Sequence, residues 1–487
     1  MKPANNATPG SRKHRFRLIS LVVLIAHLAG ALTSVRAIME VRTAQGTLAW
    51  VVALNTLPYV AVPAYWVFGR SRFHGYVLQR RKDILETSPV ARQFMTNLVE
   101  RGLIAFPERE RTLLVEKLAK LPVTQRNDAE LLVDGQATFK SIFDGIDRAR
   151  DYILAQFYII RDDQLGREFK QRLLAKARAG VHCYVLYDEV GSARLPRAYT
   201  DELKAAGVQV KPFNTTQGSA NRFQINFRNH RKIVVVDGVE AWVGGLNVGD
   251  EYMGRDPKIG PWRDTHTHLR GPVVPCVQVS FLEDWHWAAG EFPKLNWDPE
   301  PAPGGKSLLV LCLPSGPADP LETCALFFVH EINRAQKRLW IASPYFVPDE
   351  QIMTALKLAA LRGVDVRILI PDKGDSPLVQ LTAWTYLERL ENSGIRFYRY
   401  TKGFMHHKVL MLDDEAIIGT ANFDNRSFRL NFEITLQFAG HQFTDQVAAM
   451  LERDFADARP VNAADLDAQG YWFRFAARAA RLLAPIQ

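Results

Sequence analysis

Cysteine is scarce in this chain of 487 residues. Its four cysteines, Cys183, Cys276, Cys312 and Cys324, stand far apart, with no C-x-x-C spacing and no His cluster beside them. That pattern excludes a disulfide framework and a zinc-ribbon type of site, and reads as buried free thiols in a reducing compartment. An acidic excess is also absent. Lys and Arg outnumber Asp and Glu by 61 to 52, a formal net charge of +9. Such a balance suits an anionic partner (nucleic acid, an acidic membrane surface or a phosphorylated substrate) without separating the three. Nothing in the composition suggests extended disorder, since apolar residues make up 47% of the chain. The length is too great for one compact core and predicts two similar domains plus additions.

What the sequence does have begins in its first seventy residues. Leu18 to Val35 carries no formal charge and is interrupted only by His27; Leu48 to Phe68 is also uncharged, with Asn55, Pro58 and Pro63 inside it. About twenty apolar residues cross a bilayer core as helix, so the second stretch is long enough and the first is borderline. Lys2, Arg12, Lys13, Arg15 and Arg17 precede the first stretch, and Arg70, Arg72, Arg80, Arg81 and Lys82 follow the second. Only Arg36 and Arg42 lie between. By the positive-inside rule this predicts a two-helix transmembrane hairpin with both flanks cytoplasmic. A cleaved signal peptide is the competing reading, which the length of the first stretch and the presence of a second disfavour.

The remainder repeats itself once. Ile146-Asp-Arg-Ala149 leads to an apolar run at Ile153 to Ile160, a helical segment, Gly180-Val and the strand Cys183 to Asp188. Ile332-Asn-Arg-Ala335 leads through the same sequence of elements to Gly363-Val and Arg367 to Asp372. Alternating strands and amphipathic helices predict α/β halves with a largely parallel sheet covered on both faces. The resulting division is a basic tail over 1–17, the membrane hairpin over 18–68, a helical linker over 69–127, a first half over 128–300 and a second over 301–487.

Each copy then carries one chemical motif. The first is His230-Arg-Lys232-Ile-Val-Val-Val-Asp237 followed by Gly244-Gly-Leu-Asn247; the second is His406-His-Lys408-Val-Leu-Met-Leu-Asp413 followed by Gly419-Thr-Ala-Asn422. His and Lys two apart on a strand project to the same face. Attack on a phosphodiester needs a nucleophile, an acid for the leaving oxygen, and donors or cations around the non-bridging oxygens. Two imidazoles, two Lys and two Asn supply that set, and neither half holds all of it. A pseudo-twofold axis that unites the halves is therefore implied. Asp264 and Glu433 follow their motifs at similar distances, and either could hydrogen-bond an imidazole and fix its tautomer. His407 has the wrong alternation to share the site and reads as structural. His266 and His268 alternate at strand spacing but lack a third metal ligand nearby.

These residues resemble the phospholipase D superfamily, whose signature is the twice-occurring His-x-Lys-x4-Asp. Within it the chain is similar to the bacterial cardiolipin synthases, through Asn229 to Asp237, Gly244 to Tyr252, Trp262 to His266, Pro344 to Glu350 and Gly419 to Ser427. The resemblance implies an internal pseudo-dimer of two α/β/α sandwich halves behind a membrane hairpin, in the inner membrane of a bacterium with the catalytic part cytoplasmic. It implies transfer of a phosphatidyl group from one phosphatidylglycerol to another with release of glycerol, through a phosphohistidine and without metal or soluble cofactor. His230, Lys232, Asp237, His406, Lys408 and Asp413 are then the candidate catalytic residues, and Asn247, Asn422, Asp264 and Glu433 the candidate substrate-binding ones. His230 is taken as nucleophile and His406 as acid then base, with the swapped roles left open by the pseudo-symmetry. No nucleic-acid partner is expected, and the oligomeric state is open. Rival readings are a phospholipase D that uses water, a synthase with serine as acceptor or phosphatidylethanolamine as donor, a nuclease of the superfamily, and an inactive membrane scaffold. The C-terminal stretch Tyr471 to Leu483 reads as an amphipathic helix, for the membrane interface or for docking on its own domain.

Overall fold

In the computed structural model, residues 9–41, 43–69, 73, 76, 89–105, 109–213 and 226–486 are described. The chain forms two compact units, Met1–Gly75 with Thr215–Asn226, and Tyr76–Asn214 with Phe227–Gln487.

In the first unit a helix runs over Pro9–Glu40, followed by helices Ala44–Thr56 and Pro58–Phe68 packed on it and on each other. Ala37, Leu54, Ala61 and Tyr65 form their shared core, and Asn55 Nδ2 donates to Ser34 Oγ across the pair at 2.8 Å. At Gly30 the first helix passes close to the second: a Cβ there would lie 2.2 Å from the Leu54 carbonyl oxygen. The second of the two expected crossing stretches is broken at Pro58. Pro58 lacks an amide hydrogen and disfavours helical geometry at the residue before it, and Leu57 accordingly sits at φ −133°, ψ 55°. The second apolar stretch thus becomes helices of 13 and 11 residues, about 20 and 17 Å long at 1.5 Å per residue. Among the described residues one helix, Arg17–Glu40, is long and apolar enough to cross a membrane by length and composition. Leu18, Ile25 and Leu32 on it are more than half exposed. The expected basic tail over 1–17 is helical from Pro9 onward. Residues 1–8 and the second basic flank, Arg70, Arg72, Arg80, Arg81 and Lys82, lie outside the described residues.

The second unit holds both sequence repeats. The first contributes β1 (Thr124–Val133), β2 (Tyr152–Phe157), β3 (His182–Asp188), β4 (Gln209–Phe213), β5 (Arg228–Asn229), β6 (Ile233–Val236), β7 (Glu240–Gly244), β8 (Trp262–Arg263) and β9 (Thr265–Arg270). From the second come β10 (Leu308–Ser315), β11 (Arg338–Ala342), β12 (Phe346–Val347), β13 (Asp365–Pro371), β14 (Arg396–Tyr400), β15 (Phe404–Met405), β16 (Val409–Leu412), β17 (Glu415–Gly419), β18 (Phe423–Asp424), β19 (Asn431–Ala439) and β20 (Ala458–Val461). One sheet runs through both in the order β20-β14-β13-β11-β16-β17-β19-β10-β1-β9-β7-β6-β2-β3-β4. Antiparallel pairing of β1 with β10 is the seam. The segment expected as a helical linker over 69–127 is helical at Pro89–Glu100 and Arg109–Ala119, but its end already opens β1 at Thr124.

The sheet is mixed, not largely parallel. Along that order, among the described residues, only β2–β3, β3–β4, β11–β13 and β13–β14 run parallel, because those are the pairs joined through a covering helix. The strands that follow the two Lys residues, β6 and β16, turn straight back into β7 and β17 as antiparallel hairpins. Asp237 and Asp413 make those turns possible, at φ 53° and 44°, in the left-handed region that Asp tolerates better than most residues. Their carboxylates then pin the preceding strand of the same half. Asp237 accepts from the amides of Arg150, Asp151 and Tyr152 at 2.8 to 2.9 Å, and Asp413 from those of Gln336, Lys337 and Arg338 at 2.7 to 3.1 Å. Replacing Asp237 with Ala is expected to cost roughly 2–4 kcal/mol, from lost charge-assisted hydrogen bonds and left-handed backbone strain. Thermal denaturation should report that loss while kcat of the folded protein is kept; a lost kcat at unchanged stability would restore Asp237 to the chemistry.

Candidate active site

Two short parallel pairings carry each histidine onto the opposite half. β5 lies against β19 with Arg228 opposite Asn431 and Asn229 opposite Phe432. One step on, the His230 amide donates to the Phe432 carbonyl at 2.9 Å, which sets the imidazole beside Glu433. β15 lies against β8 with Phe404 opposite Trp262 and Met405 opposite Arg263. There the His406 amide donates to the Arg263 carbonyl at 2.7 Å, beside Asp264. So the histidine of each half is met by a carboxylate of the other.

The contacts are short and dry. His230 Nδ1 stands 3.0 Å from Glu433 Oε2 and 3.1 Å from the Thr420 carbonyl; His406 Nδ1 stands 2.7 Å from Asp264 Oδ2. Both carboxylates are fully buried. Burial pushes the Asp264 carboxyl up, but the field and hydrogen bond of His406 with the Lys408 charge outweigh it and leave the group well below the usual carboxylate range. Glu433 is lowered in the same way, against burial, by His230, Lys232 and the Thr420 hydroxyl. Burial drives both imidazoles toward the neutral form, His406 down to about 3 with Lys408 adding to the effect. Across each pair the carboxylate is therefore charged and the proton rests on Nδ1, which leaves Nε2 as the nitrogen with a free lone pair.

The two lysines complete the centre. Lys232 is fully buried, its ammonium bonded to the His230 carbonyl at 2.6 Å. Lys408 donates to the His406 carbonyl at 2.7 Å and lies against the His406 ring, 2.9 Å from Nδ1 and 3.1 Å from Nε2. Burial lowers Lys232 to about 7 and Lys408 to about 8, and the Lys408 charge depresses Lys232 further. Tyr158 packs edge-on to His230 at 5.1 Å and Trp262 tilts over His406 at 4.9 Å. Two neutral imidazoles between two buried cations form a site ready for a phosphodiester anion.

The glycines of the motifs have a geometric cause. A Cβ on Gly244 would come within 2.5 Å of the Thr265 carbonyl, one on Gly245 within 2.1 Å of the Asp264 carboxylate, and one on Gly419 within 2.4 Å of the Ile434 carbonyl. Only bare backbone lets β7 and β17 pass so near the strands that carry the carboxylates.

The family profile described as "Cardiolipin synthase, PLD-like domain" matches residues 142–257 and 328–455, the two repeats that hold these pairs. A protein named Cardiolipin synthase A from Pseudomonas entomophila is 47% identical over 95% of this chain and 97% of its own length. The chain belongs to the cardiolipin synthase family. A Cardiolipin synthase A from Pseudomonas fluorescens is 46% identical, covering 96% of this chain and 98% of its own. Among solved structures, the phosphatidylserine synthase of Haemophilus influenzae shares the fold, with a TM-score of 0.56 at 16% identity over 77% of this chain and all of that one.

In this cardiolipin synthase relative the expected site residues divide by what their side chains touch. Asp237 and Asp413, taken as catalytic, sit at the far ends of their strands, seven residues and roughly 20 Å of extended chain from the imidazoles, and hold turns. Asp264 and Glu433, taken as substrate-binding, are sealed behind the imidazoles they orient. Asn247 is committed to the fold, accepting from the Ile159 amide at 3.0 Å and donating to the Tyr252 hydroxyl at 3.0 Å. Asn422 is buried, and its Oδ1 has no hydrogen-bond partner among the described residues. His266 is buried and lowered to about 3 by that burial, and His268 stacks flat on Trp242 at 4.5 Å.

The residue between each His and Lys is a tether that sequence reasoning only half found. Arg231 is buried, donating to the Glu433 carbonyl at 3.0 Å and to Asp284 Oδ2 at 2.8 Å. Asp284 also receives Gln156, Asn229 and Tyr76. His407, fully buried, reaches Thr265 Oγ1 at 2.5 Å through Nδ1 and Asp454 at 3.1 Å through Nε2. Asp454 in turn holds Arg263. Each tether thus fastens the strand that brings the opposing carboxylate. Only their long separation in sequence from Asp284 and Asp454 hid this.

Asp264→Asn and Glu433→Gln are each expected to lower kcat about 100-fold or more by freeing the imidazole tautomer, with folding retained; a loss confined to KM would assign the carboxylates to substrate instead. Because burial lowers Lys232 to about 7 and Lys408 to about 8, kcat/KM is expected to fall as pH rises beyond about 7, as the two ammonium groups lose their protons in turn. Lys408→Arg should remove the part of that fall near 8 and leave the part near 7, and a profile flat to pH 10 would remove the lysines from charge neutralisation.

Proposed function

We propose that the protein is a cardiolipin synthase that transfers a phosphatidyl group from one phosphatidylglycerol to the terminal hydroxyl of another and releases glycerol. The observation that carries the reading is the pair of neutral, carboxylate-aimed imidazoles flanked by two buried lysines, in a chain nearly half identical to proteins named cardiolipin synthase along their whole length. In this reading His230 Nε2 attacks phosphorus and the glycerol oxygen leaves with a proton from His406. The phosphorus–nitrogen bond so formed is then broken by the second lipid's hydroxyl, whose proton returns to His406. Lys232 and Lys408 neutralise the non-bridging oxygens in both steps, with Asn422 as a further polar contact, and splitting one displacement into two lowers each barrier.

For the first step His406 must gain a proton that its surroundings disfavour, so the incoming phosphate anion is what raises its affinity for one. The helix Arg17–Glu40 would anchor the protein in the inner membrane of a bacterium, and the broken second stretch would return the chain to the same side, leaving the second unit cytoplasmic. The two sequence repeats, over 128–300 and 301–487, act in this reading as one catalytic body.

Full-length protein in vesicles of labelled phosphatidylglycerol should yield labelled cardiolipin and free glycerol. His230→Ala and His406→Ala should each lose at least about a thousandfold in kcat, as removal of a nucleophile or its acid does. In His406→Asn the phosphoryl label should accumulate on the peptide that contains His230. Label found only in phosphatidic acid would make water the acceptor and overturn the synthase reading; label on His406 would reverse the two roles.

A further inference from the structure

The second unit ends in the helix Tyr471–Ala480 and a 3-10 segment Arg481–Ile486. This helix is docked on its own body, but by its small-residue face. Ala477 and Ala480 are buried, Phe473 packs edge-on to Trp384 at 6.2 Å, and Arg478 pairs with Glu388 at 3.2 Å. The face turned outward carries the large apolar side chains. Tyr471, Trp472, Phe475 and Leu482 are 67, 76, 57 and 81% exposed. A helix of a soluble protein ordinarily arranges itself the other way round.

We propose that this outward face docks on an anionic lipid bilayer, with Trp472, Phe475 and Leu482 sunk to headgroup level. Three observations choose lipid as the occupant. Tyr471 to Ile486 contains no Asp or Glu, while Arg478 and Arg481 flank the apolar face in exposed positions, the charge an anionic surface attracts. Exposed Trp and Tyr are the side chains that favour the membrane–water boundary. The segment is also bolted to the active site. Asn425 Nδ2 donates to the Ala484 carbonyl at 3.1 Å and to Val347 at 2.9 Å. Asn425 opens the helical turn three residues after Asn422, and two residues before Asn422 stands Thr420, whose hydroxyl holds Glu433 at 2.6 Å. Docking would therefore hold the phosphoryl site at a set height over the lipid that supplies it. This deepens the phosphatidyl-transfer reading and rests on it for the substrate, though not for the docking itself.

The four native cysteines are buried, so a nitroxide on Ala479→Cys in the full-length protein reports on this face alone. In vesicles containing phosphatidylglycerol it should be reached by dissolved oxygen more than by a water-soluble relaxant, while a label on Lys140→Cys, 75% exposed, should show the reverse. A water-like signal at 479 would overturn the proposal. So would spin–spin broadening at 479 that persists without lipid, which would make a second copy the occupant. Trp472→Ser with Phe475→Ser and Leu482→Ser should lower turnover of vesicle-borne lipid by about tenfold or more, since each removes a buried apolar group's worth of adsorption. Turnover of a short-chain phosphatidylglycerol dispersed as monomers should stay as in the parent protein, as should the melting temperature. An equal loss on both substrates, or none on vesicles, would count against docking. No turnover of either lipid by the parent protein would sink the transfer reading while the spin label still decides where the helix lies.

Discussion

The hydrogen bond from each imidazole to a buried carboxylate of the opposite half is the constraint to which the rest of the molecule answers. A carboxylate removed from water is stable as an anion only with partners on its lone pairs, and here those partners are the histidine, a neighbouring hydroxyl or amide, and the field of a lysine. The halves must therefore meet in one register. β5 on β19 and β15 on β8 supply it, because a parallel step that pairs Asn229 with Phe432 also pairs His230 with Glu433. A slip of one residue would turn both imidazoles away from their acceptors.

From this follow features that have no chemistry of their own. β1 and β10 join the halves into one sheet, so they cannot rotate against each other without breaking a ladder of backbone hydrogen bonds. Gly244, Gly245 and Gly419 clear space for the carboxylate-bearing strands. Arg231 and His407, neighbours of the reacting histidines, point away from the site and clamp those same strands through Asp284 and Asp454. The residues of the signature thus divide into the imidazoles and ammonium groups gathered at the centre and the groups that hold the frame.

Much of this was legible beforehand. Two motifs in a recurring strand–helix pattern told of two α/β halves and one composite site, since neither copy held a full set of reacting groups. Asp264 and Glu433 were visible as imidazole partners, because each follows its motif at a similar distance; which carboxylate served which histidine was not, because that depends on strand exchange between halves. That Asp237 and Asp413 hold turns was not legible. Their regular spacing from His and Lys reflects a hairpin, and a fixed spacing carries no information on whether a residue serves the turn or the reaction. The mixed pairing of the sheet was not legible either, as apolar runs of equal length arise whether a buried strand is parallel or antiparallel. Pro58 was legible inside the second apolar stretch, but the break it makes at Leu57 depends on backbone geometry that apolar composition does not report.

Fusion of the halves in one chain has a kinetic meaning. In a symmetric dimer of identical subunits the two histidines would share one environment, and either could attack first in any given turnover. Here Arg231 stands where His407 stands, a fixed cation backed by Asp284 against an imidazole backed by Asp454. Lys232 and Lys408 also lie differently against their histidines. The two nitrogens have thereby ceased to be equivalent, and a chain that can tell its left hand from its right can assign one to bond phosphorus and the other to move protons, cycle after cycle in the same order.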